Sequence, residues 1–557
     1  MGRLNPERRI SKIIVALSSA AVILVCLFGH LGAIGLVGPD EPRYAWIARS
    51  MAATGDWLTP RLYGTPWFEK PILYYWAAAI GFRLHLSPEW AARLPSALGA
   101  LATALALAWL AHRFYGRDTD GKPNVVVLAP LLFSTNVAAV GFARAATPDM
   151  LFSASLTLAM ASAAAVLVRE GAFPECRSVT SNTKKGDLAP LFFFGVAMGL
   201  AALAKGPAAI ILAGGALGLW ALATKQWRVA LRFLHPVSVT TFSIVALPWY
   251  ILCAFRNREF IRVFILEHNF ERYLTPVFQH RQPFWFFGPI TCLALIPWTA
   301  LLIPVAREGM RAWREKSWAG SPGLFPACWA IFPLLFFSCS QSKLPGYILP
   351  GIPPLILLCA AGAANLPKMS RTMSIVVGTG IGAVWVALSI IGLRFTKTVP
   401  QSLLEQMGLP RISWIFVCGA IILAILMSVL GACRKPELLT VACIISVALI
   451  VAFANFRILP ILDRLYSARP YAEAVRYDRR PDRIFTWKLK RNWEYGLAFY
   501  FERELPQWSP ADTEPALVLT THEGVREIQK LGRVEGTLDE SWGAVLYVPV
   551  LPAPRTD

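Results

Sequence analysis

The sequence predicts an α-helical polytopic membrane protein with about 13 transmembrane helices and a small C-terminal α/β domain. Of the 557 residues, 55% are hydrophobic and only 16% are charged, whereas soluble domains carry about 25% charged residues. Apolar runs close to the roughly 20 residues that cross a bilayer recur along most of the chain. The net charge of +20 lies in short clusters between these runs, which is typical of membrane topology rather than of a nucleic-acid-binding groove.

Thirteen apolar runs are candidate membrane spans. Arg8, Arg9 and Lys12 precede the first run, and we expect that run to stay in the membrane rather than be removed as a leader. With the N-terminus inside, every inner loop is basic, and the odd number of spans leaves the C-terminal segment outside. The runs are 13–36, 93–114, 124–141, 149–168, 189–204, 207–223, 236–255, 285–305, 323–339, 347–366, 373–394, 413–432 and 438–455.

A change of composition near residue 455 divides the chain into two domains. We expect a transmembrane domain over 1–455, with outer loops 37–92 and 256–284, and an outer domain over 456–557. The apolar segment 71–86 is short, is interrupted by Gly81 and Arg83, and is placed as an interfacial or re-entrant helix. In the outer domain, periodicity predicts strands at 484–487, 517–520 and 544–550 and helices at 492–503 and 523–531.

Cations on the outer loops indicate function, because topology alone does not place positive charge there. Ionisable groups close to a bilayer are costly and usually face a cavity or a partner, although a single lysine is often an interfacial anchor. Four of them, each near Pro or Gly, predict a phosphate pocket. They are Arg43, Lys70, Lys205 and Lys343. Tyr347 adds a hydroxyl donor, and Tyr74 belongs to an aromatic segment that forms either an interfacial belt or a wall for substrate.

Acidic residues stand at the outer ends of two spans. Asp40 and Glu41 follow the first span, and Asp149 begins another. Asp40 either caps the helix that follows or directs its carboxylate into a cavity, where it is a candidate catalytic group together with Glu41 and Asp149.

Glu69, His268 and His280 are candidate ligands for a divalent metal such as zinc. Their spacing matches no compact zinc motif. The alternatives are hydrogen bonds between loops and contacts with a phosphate or sugar. We expect no cofactor to be required.

Four outer-loop motifs carry a family resemblance. They are DEPRYA at 40–45, FEKP at 68–71, AKGP at 204–207 and SKLPGYILP at 342–350. Together they resemble the lipid A aminoarabinose transferases, which are bacterial GT-C glycosyltransferases that use polyprenyl-phosphate sugars and are related to the protein O-mannosyltransferases. The resemblance extends over roughly residues 30–365 and implies a GT-C fold.

The resemblance also implies an activity. It is transfer of 4-amino-4-deoxy-L-arabinose from undecaprenyl phosphate to lipid A phosphates at the periplasmic face of the bacterial inner membrane, which gives polymyxin resistance. Lys70 and Arg43 would bind the lipid phosphate, helped by Lys205 or Lys343, and Asp40 would orient the acceptor or the sugar. The expected partners are these two lipids and the surrounding membrane lipids, with the protein acting as a monomer.

Three other functions stay open at this point, one of which is a catalytically inactive member of the family that acts as a lipid-binding partner. A protein O-mannosyltransferase-like enzyme would use a polyprenyl-linked hexose, with Asp40 as general base toward a Ser or Thr hydroxyl. A lipid transporter is the alternative of another class, but transporters place charges at the midplane and show repeated halves. Here the charges lie at the outer ends of the spans, and no repeat is visible in the sequence.

Overall fold

A computed structural model describes most of the chain, and its regular structure is mainly helical. Strands occur in a short hairpin of the first outer loop and in one sheet near the C-terminus of the described chain. The described residues are 6–116, 125–173, 188–275, 281–396, 405, 413–477, 483–512, 514–534 and 546–551.

The first half of the chain forms helices α1 to α12 and one β-hairpin. The helices are α1 (Pro6–Phe28), α2 (Asp40–Thr54), α3 (Leu73–Arg83), α4 (Pro88–Tyr115), α5 (Val125–Ser134), α6 (Val137–Ala143), α7 (Asp149–Arg169), α8 (Ala189–Lys205), α9 (Ala208–Thr224), α10 (Trp227–Ala230), α11 (Pro236–Arg256) and α12 (Arg272–Leu274). The hairpin of β1 (Arg61–Leu62) and β2 (Thr65–Pro66) precedes α3, and a π-helix (Ile261–Glu271) precedes α12.

The second half continues with helices and ends in a sheet. Its α-helices are α13 (Phe287–Ala294), α14 (Leu302–Arg314), α15 (Leu324–Ser338), α16 (Ile352–Asn365), α17 (Arg371–Thr396), α18 (Ser413–Ala432), α19 (Pro436–Phe453), α20 (Leu459–Tyr466), α21 (Arg469–Tyr477), α22 (Arg491–Phe501) and α23 (His522–Lys530). The strands are β3 (Ile484–Trp487), β4 (Ala516–Thr520) and β5 (Leu546–Val550).

Each predicted span overlaps an apolar helical segment of the described chain. Six segments are long and apolar enough to cross a membrane, two more are bent pairs of helices, and five are shorter apolar helices. The six are Pro88–Tyr115, Asp149–Arg169, Pro236–Arg256, Pro345–Lys368, Arg371–Arg394 and Pro436–Tyr466. The five are Ile13–Phe28, Ala189–Lys205, Ala208–Thr224, Leu324–Ser338 and Val417–Ala432.

The predicted spans 124–141 and 285–305 are bent rather than straight. The first bends by 61° between α5 and α6, where the side chain of Asn136 accepts a hydrogen bond from the Ala139 amide and caps α6. The second bends by 109° near Pro297, which cannot donate a backbone hydrogen bond. The two breaks meet, because the Trp298 indole donates to Thr135 Oγ1 at 3.1 Å. Hydropathy finds such apolar segments but does not report their bends.

Small residues allow close packing around α7. Its sequence is rich in Ala and Ser, and 83% of its apolar window is buried inside the protein. A Cβ at Gly99 of α4 would lie 3.3 Å from the Met150 carbonyl, and one at Gly195 of α8 would overlap Thr241 of α11. Interfaces of small residues let membrane helices approach closely. The central helices are therefore tightly packed and support the predicted outer loops.

The predicted outer loops form an aromatic-rich layer that packs on these helices. Tyr44 of α2 and Tyr74 and Tyr75 of α3 are buried in mutual edge contacts. Phe68 packs edge-on against Phe260, next to the π-helix. This layer fixes α2 against the segment that leads into α3. The predicted interfacial segment 71–86 thus contains the helix α3.

The sheet near the C-terminus has the order β3-β4-β5, with β3 parallel to β4 and β4 antiparallel to β5. Its strands and the helices α22 and α23 occur within two residues of the predicted positions. The boundary at 455–456 and the side of the membrane on which this unit lies stay predictions.

A polar network joins the last helices to the segment between α1 and α2. Asp463 accepts hydrogen bonds from the Gly35 amide at 2.6 Å and from Arg469 at 2.6 and 2.9 Å. The Tyr500 hydroxyl accepts from the Leu36 amide at 2.8 Å and donates to Glu89 at 2.7 Å. These contacts hold the backbone a few residues before Asp40.

Candidate active site

Asp40 and Arg43 lie on the first turn of α2, in the predicted outer loop 37–92. Pro39 precedes the helix, and the structure shows no side-chain hydrogen bond that caps its N-terminus. The capping interpretation of Asp40 is therefore not what the structure shows. Instead, Arg43 Nη2 lies 2.6 Å from Asp40 Oδ1, an (i, i+3) pair. The side chain of Asp40 is 54% exposed, whereas that of Arg43 is 13% exposed.

Glu69 connects Arg43 to Lys70. Its Oε2 lies 2.9 Å from Arg43 Nη2, and its Oε1 lies 3.3 Å from Lys70 Nζ. The hairpin β1–β2 and Pro71 bracket this pair, and the Tyr44 hydroxyl donates to Glu69 at 3.4 Å. One half-buried carboxylate thus orients two of the predicted phosphate-binding cations.

Burial and neighbouring charges shift the pKa values of these groups. Burial alone would raise the pKa of Glu69, but Lys70 and Arg43 outweigh it and lower the value to about 2. Burial lowers the pKa of Lys70, and Glu69 opposes that change. For Asp40, reduced solvation raises the pKa and Arg43 opposes the rise, although the carboxylate is partly exposed. A partly buried network in which the carboxylates and cations compensate each other is typical of a functional site.

Asp149 and Lys205 form a second ion pair beside the first. Asp149 begins α7 after Pro148, and Lys205 ends α8 before Gly206. Gly206 has φ +77°, and a Cβ there would lie 2.8 Å from the Phe264 ring. The Lys205 ammonium contacts the Asp149 carboxylate and lies 5.4 Å from the centre of the Tyr347 ring. The glycine thus turns the chain sharply where the lysine reaches the site.

A cavity of about 360 Å³ opens next to both ion pairs. We call it the cationic cavity, and it has a charged side and an apolar side. The charged and polar side consists of Glu69, Lys70, Lys205, His268, Asn269, Arg272, Tyr273, Ser340, Ser342 and Tyr347. The apolar side consists of Pro71, Pro207, Ala208, Ile211, Phe264, Phe270, Leu274, Phe336 and Phe337. This combination suits an amphiphile with an anionic head and a hydrocarbon chain.

Three predicted site residues are directed elsewhere. Lys343 is buried, and its ammonium donates to the carbonyls of Ser340 at 2.6 Å and Gln282 at 3.1 Å. The Tyr74 hydroxyl donates to the Ala92 carbonyl at 2.8 Å. Neither residue lines the cationic cavity, and Asp40, Arg43 and Asp149 lie beside it without being among its lining residues. Glu41 is buried as well, in an ion pair with Arg93.

Glu41 has a structural environment rather than a catalytic one. It accepts hydrogen bonds from Arg93, from the Val37 amide at 2.8 Å and from the Ala146 amide at 2.7 Å. The guanidinium of Arg93 also donates to the carbonyls that follow α1. A carboxylate with four donors is held in place, so Glu41 fixes the segment that carries Asp40.

The three candidate metal ligands are not seen together. His268 shares the cationic cavity with Glu69, while His280 lies outside the described residues. Within the described part of the chain, no group of three His, Cys, Asp or Glu side chains is placed to hold a metal ion. Burial lowers the pKa of His268, as do Lys70 and Arg272, while Glu69 opposes the change.

Arg272 lines the cavity but was not among the predicted cations. It follows the π-helix in the outer loop 256–284, and its charge lowers the pKa of Lys70. The criterion that selected the other four, a cation on a predicted outer loop near Pro or Gly, passed over Arg272 because residues 269–275 contain neither Pro nor Gly. Asn269 and Arg272 both line the cavity, and a count of the cations in that predicted loop would have singled out Arg272 as a candidate.

Comparisons with known proteins find similar glycosyltransferases. Residues 12–264 match the family model for dolichyl-phosphate-mannose-protein mannosyltransferase. An undecaprenyl phosphate-α-4-amino-4-deoxy-L-arabinose arabinosyl transferase of Edwardsiella ictaluri is 31% identical over 349 residues, 61% of this chain and 59% of the relative. The enzyme of that name in Serratia proteamaculans is 32% identical over 386 residues, covering 68% and 64%. The chain thus spans about three fifths of these relatives' length.

The fold is also that of a solved structure. The crystal structure of ArnT from Cupriavidus metallidurans bound to undecaprenyl phosphate superposes with a TM-score of 0.73 at 22% identity, covering 96% of this chain and 97% of that one. Its structure in the apo state gives a TM-score of 0.72 at 21% identity. The predicted helical membrane fold of GT-C type is therefore confirmed, and the chain is a multi-pass membrane protein.

Proposed function

We propose that this chain, which is a homologue of the undecaprenyl phosphate-aminoarabinose arabinosyl transferases as its motifs predicted, is a glycosyltransferase. It transfers 4-amino-4-deoxy-L-arabinose from undecaprenyl phosphate to phosphate groups of lipid A. The observation that carries the proposal is the cationic cavity, which joins Lys70, Lys205 and Arg272 to an apolar wall. The name of the relatives and the undecaprenyl phosphate in the crystal structure of ArnT support it.

The donor lipid occupies the cationic cavity in this proposal. Its phosphate lies against Lys70, Lys205 and Arg272, and the first isoprene units follow the apolar side past Phe270 and Phe336. As the glycosidic bond breaks, negative charge grows on the leaving phosphate, and fixed cations stabilise that charge more in the transition state than in the ground state. Tyr347 supplies a hydroxyl on the same side.

The transfer is a single displacement with inversion. A lone pair of the acceptor phosphate forms a bond to the anomeric carbon, and the bond from that carbon to the donor phosphate breaks, with its electron pair leaving on the phosphate. The acceptor is already ionised at neutral pH, so a strong general base is not needed. Asp40 lies close enough to Glu69 and Lys70 for both charges to affect its pKa. In this proposal it orients the sugar amine or stabilises positive charge on the sugar ring.

Asp149 has a supporting part in this scheme. In the structure its carboxylate contacts Lys205, and binding of a phosphate would draw that ammonium toward the lipid. Asp149 then becomes available to the cationic amine of the sugar. Two carboxylates, Asp40 and Asp149, would thus face the part of the donor that carries positive charge, while the cations face its phosphate.

The reaction proceeds without a bound divalent metal in this proposal. Both oxygens of Glu69 already contact cations, Arg43 and Lys70, and these neighbours disfavour a metal ion at the same carboxylate. His268 then serves the phosphate or sugar as a hydrogen-bonding group.

The proposal includes a topology and a location. All 13 apolar segments cross the bacterial inner membrane, the cationic cavity opens to the periplasm, and residues 456–557 form a periplasmic α/β domain. The protein acts as a monomer with lipids as its partners. Neutralising lipid A in this way would protect a cell against polymyxin and other cationic peptides.

The match to the mannosyltransferase family model favours a second candidate function. In it, the same cavity holds a polyprenyl-linked hexose, and Asp40 removes the proton from a Ser or Thr hydroxyl of a protein acceptor. The two functions differ in their acceptor, so the acceptor distinguishes them.

Mass spectrometry of lipid A tests the proposal. We expect a pentosamine mass increment in cells that express the chain, and its loss with Lys70→Met or Asp40→Asn at equal protein levels. Arg311→Met, an exposed arginine on a predicted inner loop, is the control and should retain the increment. Transfer to a peptide with unmodified lipid A would favour the second candidate.

A further inference from the structure

A second cavity, of about 380 Å³, adjoins Asp40. It lies between the end of α1, the turn from α6 to α7 and the start of α20. Asp40, Arg144, Gly141 and Leu459 are among its lining residues. The cationic cavity shares none of its lining residues with this one, so the two are separate spaces.

Arg144 is the cation of this second cavity that is not neutralised. The other arginine in its wall, Arg93, uses all five of its N–H groups on Glu41 and on three carbonyls. Arg144 makes two such hydrogen bonds, to the carbonyl of Gly29 at 2.7 Å and to that of His30 at 3.1 Å. Among the residues that the structure describes, no carboxylate lies within ion-pair distance of it. A guanidinium carries five donors in a planar fork that matches a phosphate.

Two groups of neighbouring residues separate the two cavities. On one side, Asp40 of the second cavity contacts Arg43, which contacts Glu69 of the cationic cavity. On the other side, Thr147 of the second cavity lies two residues before Asp149, the partner of Lys205. The carboxylates Asp40 and Asp149 thus stand between the cavities.

We infer that the second cavity holds the acceptor and that Arg144 binds its phosphate. This inference rests on the proposed function and deepens it. A displacement with inversion needs the incoming and leaving groups on opposite faces of the sugar. The donor phosphate lies in the cationic cavity, and the sugar lies beside Asp40 and Asp149. The face of the sugar ring opposite the donor phosphate then borders the second cavity.

The ligand class follows from the charge of Arg144. A phosphate oxygen attacks with its own lone pair and loses no proton, so the cavity needs a cation to hold the acceptor and no base to activate it. A neutral hydroxyl acceptor would leave the guanidinium without an anion. Arg144 therefore selects a phosphate-bearing lipid over a Ser or Thr side chain.

Arg144 also contacts the carbonyls of Gly29 and His30, just after α1. The test must therefore distinguish a structural role of Arg144 from a role in binding the acceptor. Gly141 makes that distinction possible. It lines the second cavity, and a Cβ there meets nothing within 4 Å among the described atoms. Gly141→Leu therefore adds bulk at the wall of the cavity while the Arg144 guanidinium is retained, and leucine favours the helix more than glycine does.

Steady-state kinetics of the purified full chain in detergent test the inference. Undecaprenyl phosphate-aminoarabinose is the donor and bisphosphorylated lipid A the acceptor. We expect Arg144→Met and Gly141→Leu each to raise KM for lipid A at least tenfold and to change KM for the donor less than twofold. Arg144→Lys should recover part of the loss, and Arg311→Met should match wild type. If Arg144→Met does not fold, Gly141→Leu alone decides.

Unchanged acceptor KM in a folded Arg144→Met or Gly141→Leu variant would overturn the inference. Binding of lipid A without donor distinguishes this failure from failure of the proposed function. Wild type should bind bisphosphorylated lipid A at least tenfold more tightly than dephosphorylated lipid A, and Arg144→Met should remove the difference. Equal binding of the two lipids by wild type overturns the acceptor site, whereas preserved binding with no transfer overturns the proposed reaction alone.

Discussion

Replacement of Lys70 by methionine should abolish most of the transfer. Lys70 lines the cationic cavity, its side chain is 17% exposed, and its ammonium lies 3.3 Å from Glu69. Loss of one preorganised donor to a developing oxyanion costs about 2.7–4 kcal/mol, or about 10²–10³ in kcat. Glu69 partly offsets the charge of Lys70, so we expect a loss near the lower end, about 100-fold.

The matched control is Lys343→Met. Both lysines belong to motifs that predicted phosphate binding, but Lys343 donates to the carbonyls of Ser340 and Gln282 rather than into the cavity. This change removes two hydrogen bonds, and we expect it to lower the melting temperature while reducing kcat/KM less than tenfold. The assay is transfer of labelled sugar to lipid A by purified variants, normalised to folded protein.

Two results would refute the reasoning. One is a Lys70→Met variant within fivefold of wild type, which would mean that the donor phosphate lies elsewhere. The other is a larger loss for Lys343→Met than for Lys70→Met in folded protein, which would mean that the lysine of the SKLP motif, and not that of the FEKP motif, faces the substrate.

Three further predictions follow from the same geometry. The pKa of Glu69 is lowered to about 2 from 4.5, so its ion pairs stabilise the fold above about pH 4.5 and lose that effect as pH falls toward 2. The difference in melting temperature between wild type and Glu69→Gln should therefore shrink between pH 4.5 and pH 2. A constant difference over that interval would contradict this prediction. Tyr500→Phe removes the hydroxyl that joins Leu36 to Glu89 and should cost about 1–3 kcal/mol of stability, with kcat lowered and donor KM unchanged; an unchanged denaturation midpoint would show the link to be unimportant. Treatment with EDTA should leave transfer within twofold of the untreated enzyme, and a loss that zinc restores would show that a metal is needed.

Much of the fold follows from the sequence because bilayer thickness constrains helix length. Apolar runs located helices at each predicted span, and periodicity located β3, β4 and β5 within two residues. The bends at Asn136 and near Pro297 were not foreseen. They depend on contacts between distant segments, such as Trp298 with Thr135, which no local pattern contains.

The sequence predicted the types of residue that form the site better than the directions in which their side chains point. Charge on outer loops selected Asp40, Lys70 and Lys205, which the structure brings to one region. The same criterion selected Lys343, whose ammonium is bound by backbone carbonyls, and passed over Arg272. Whether a side chain faces a cavity depends on how its loop packs, and that packing is set by the aromatic layer rather than by neighbours in the sequence.

The central claim is that the cationic cavity holds the phosphate of the donor lipid. A structure of this protein with undecaprenyl phosphate tests it most directly. We predict density for the phosphate within hydrogen-bonding distance of Lys70 and of Lys205 or Arg272, with the isoprene chain along Phe270 and Phe336. Density for the phosphate in the second cavity beside Arg144, with the cationic cavity empty, would contradict the account.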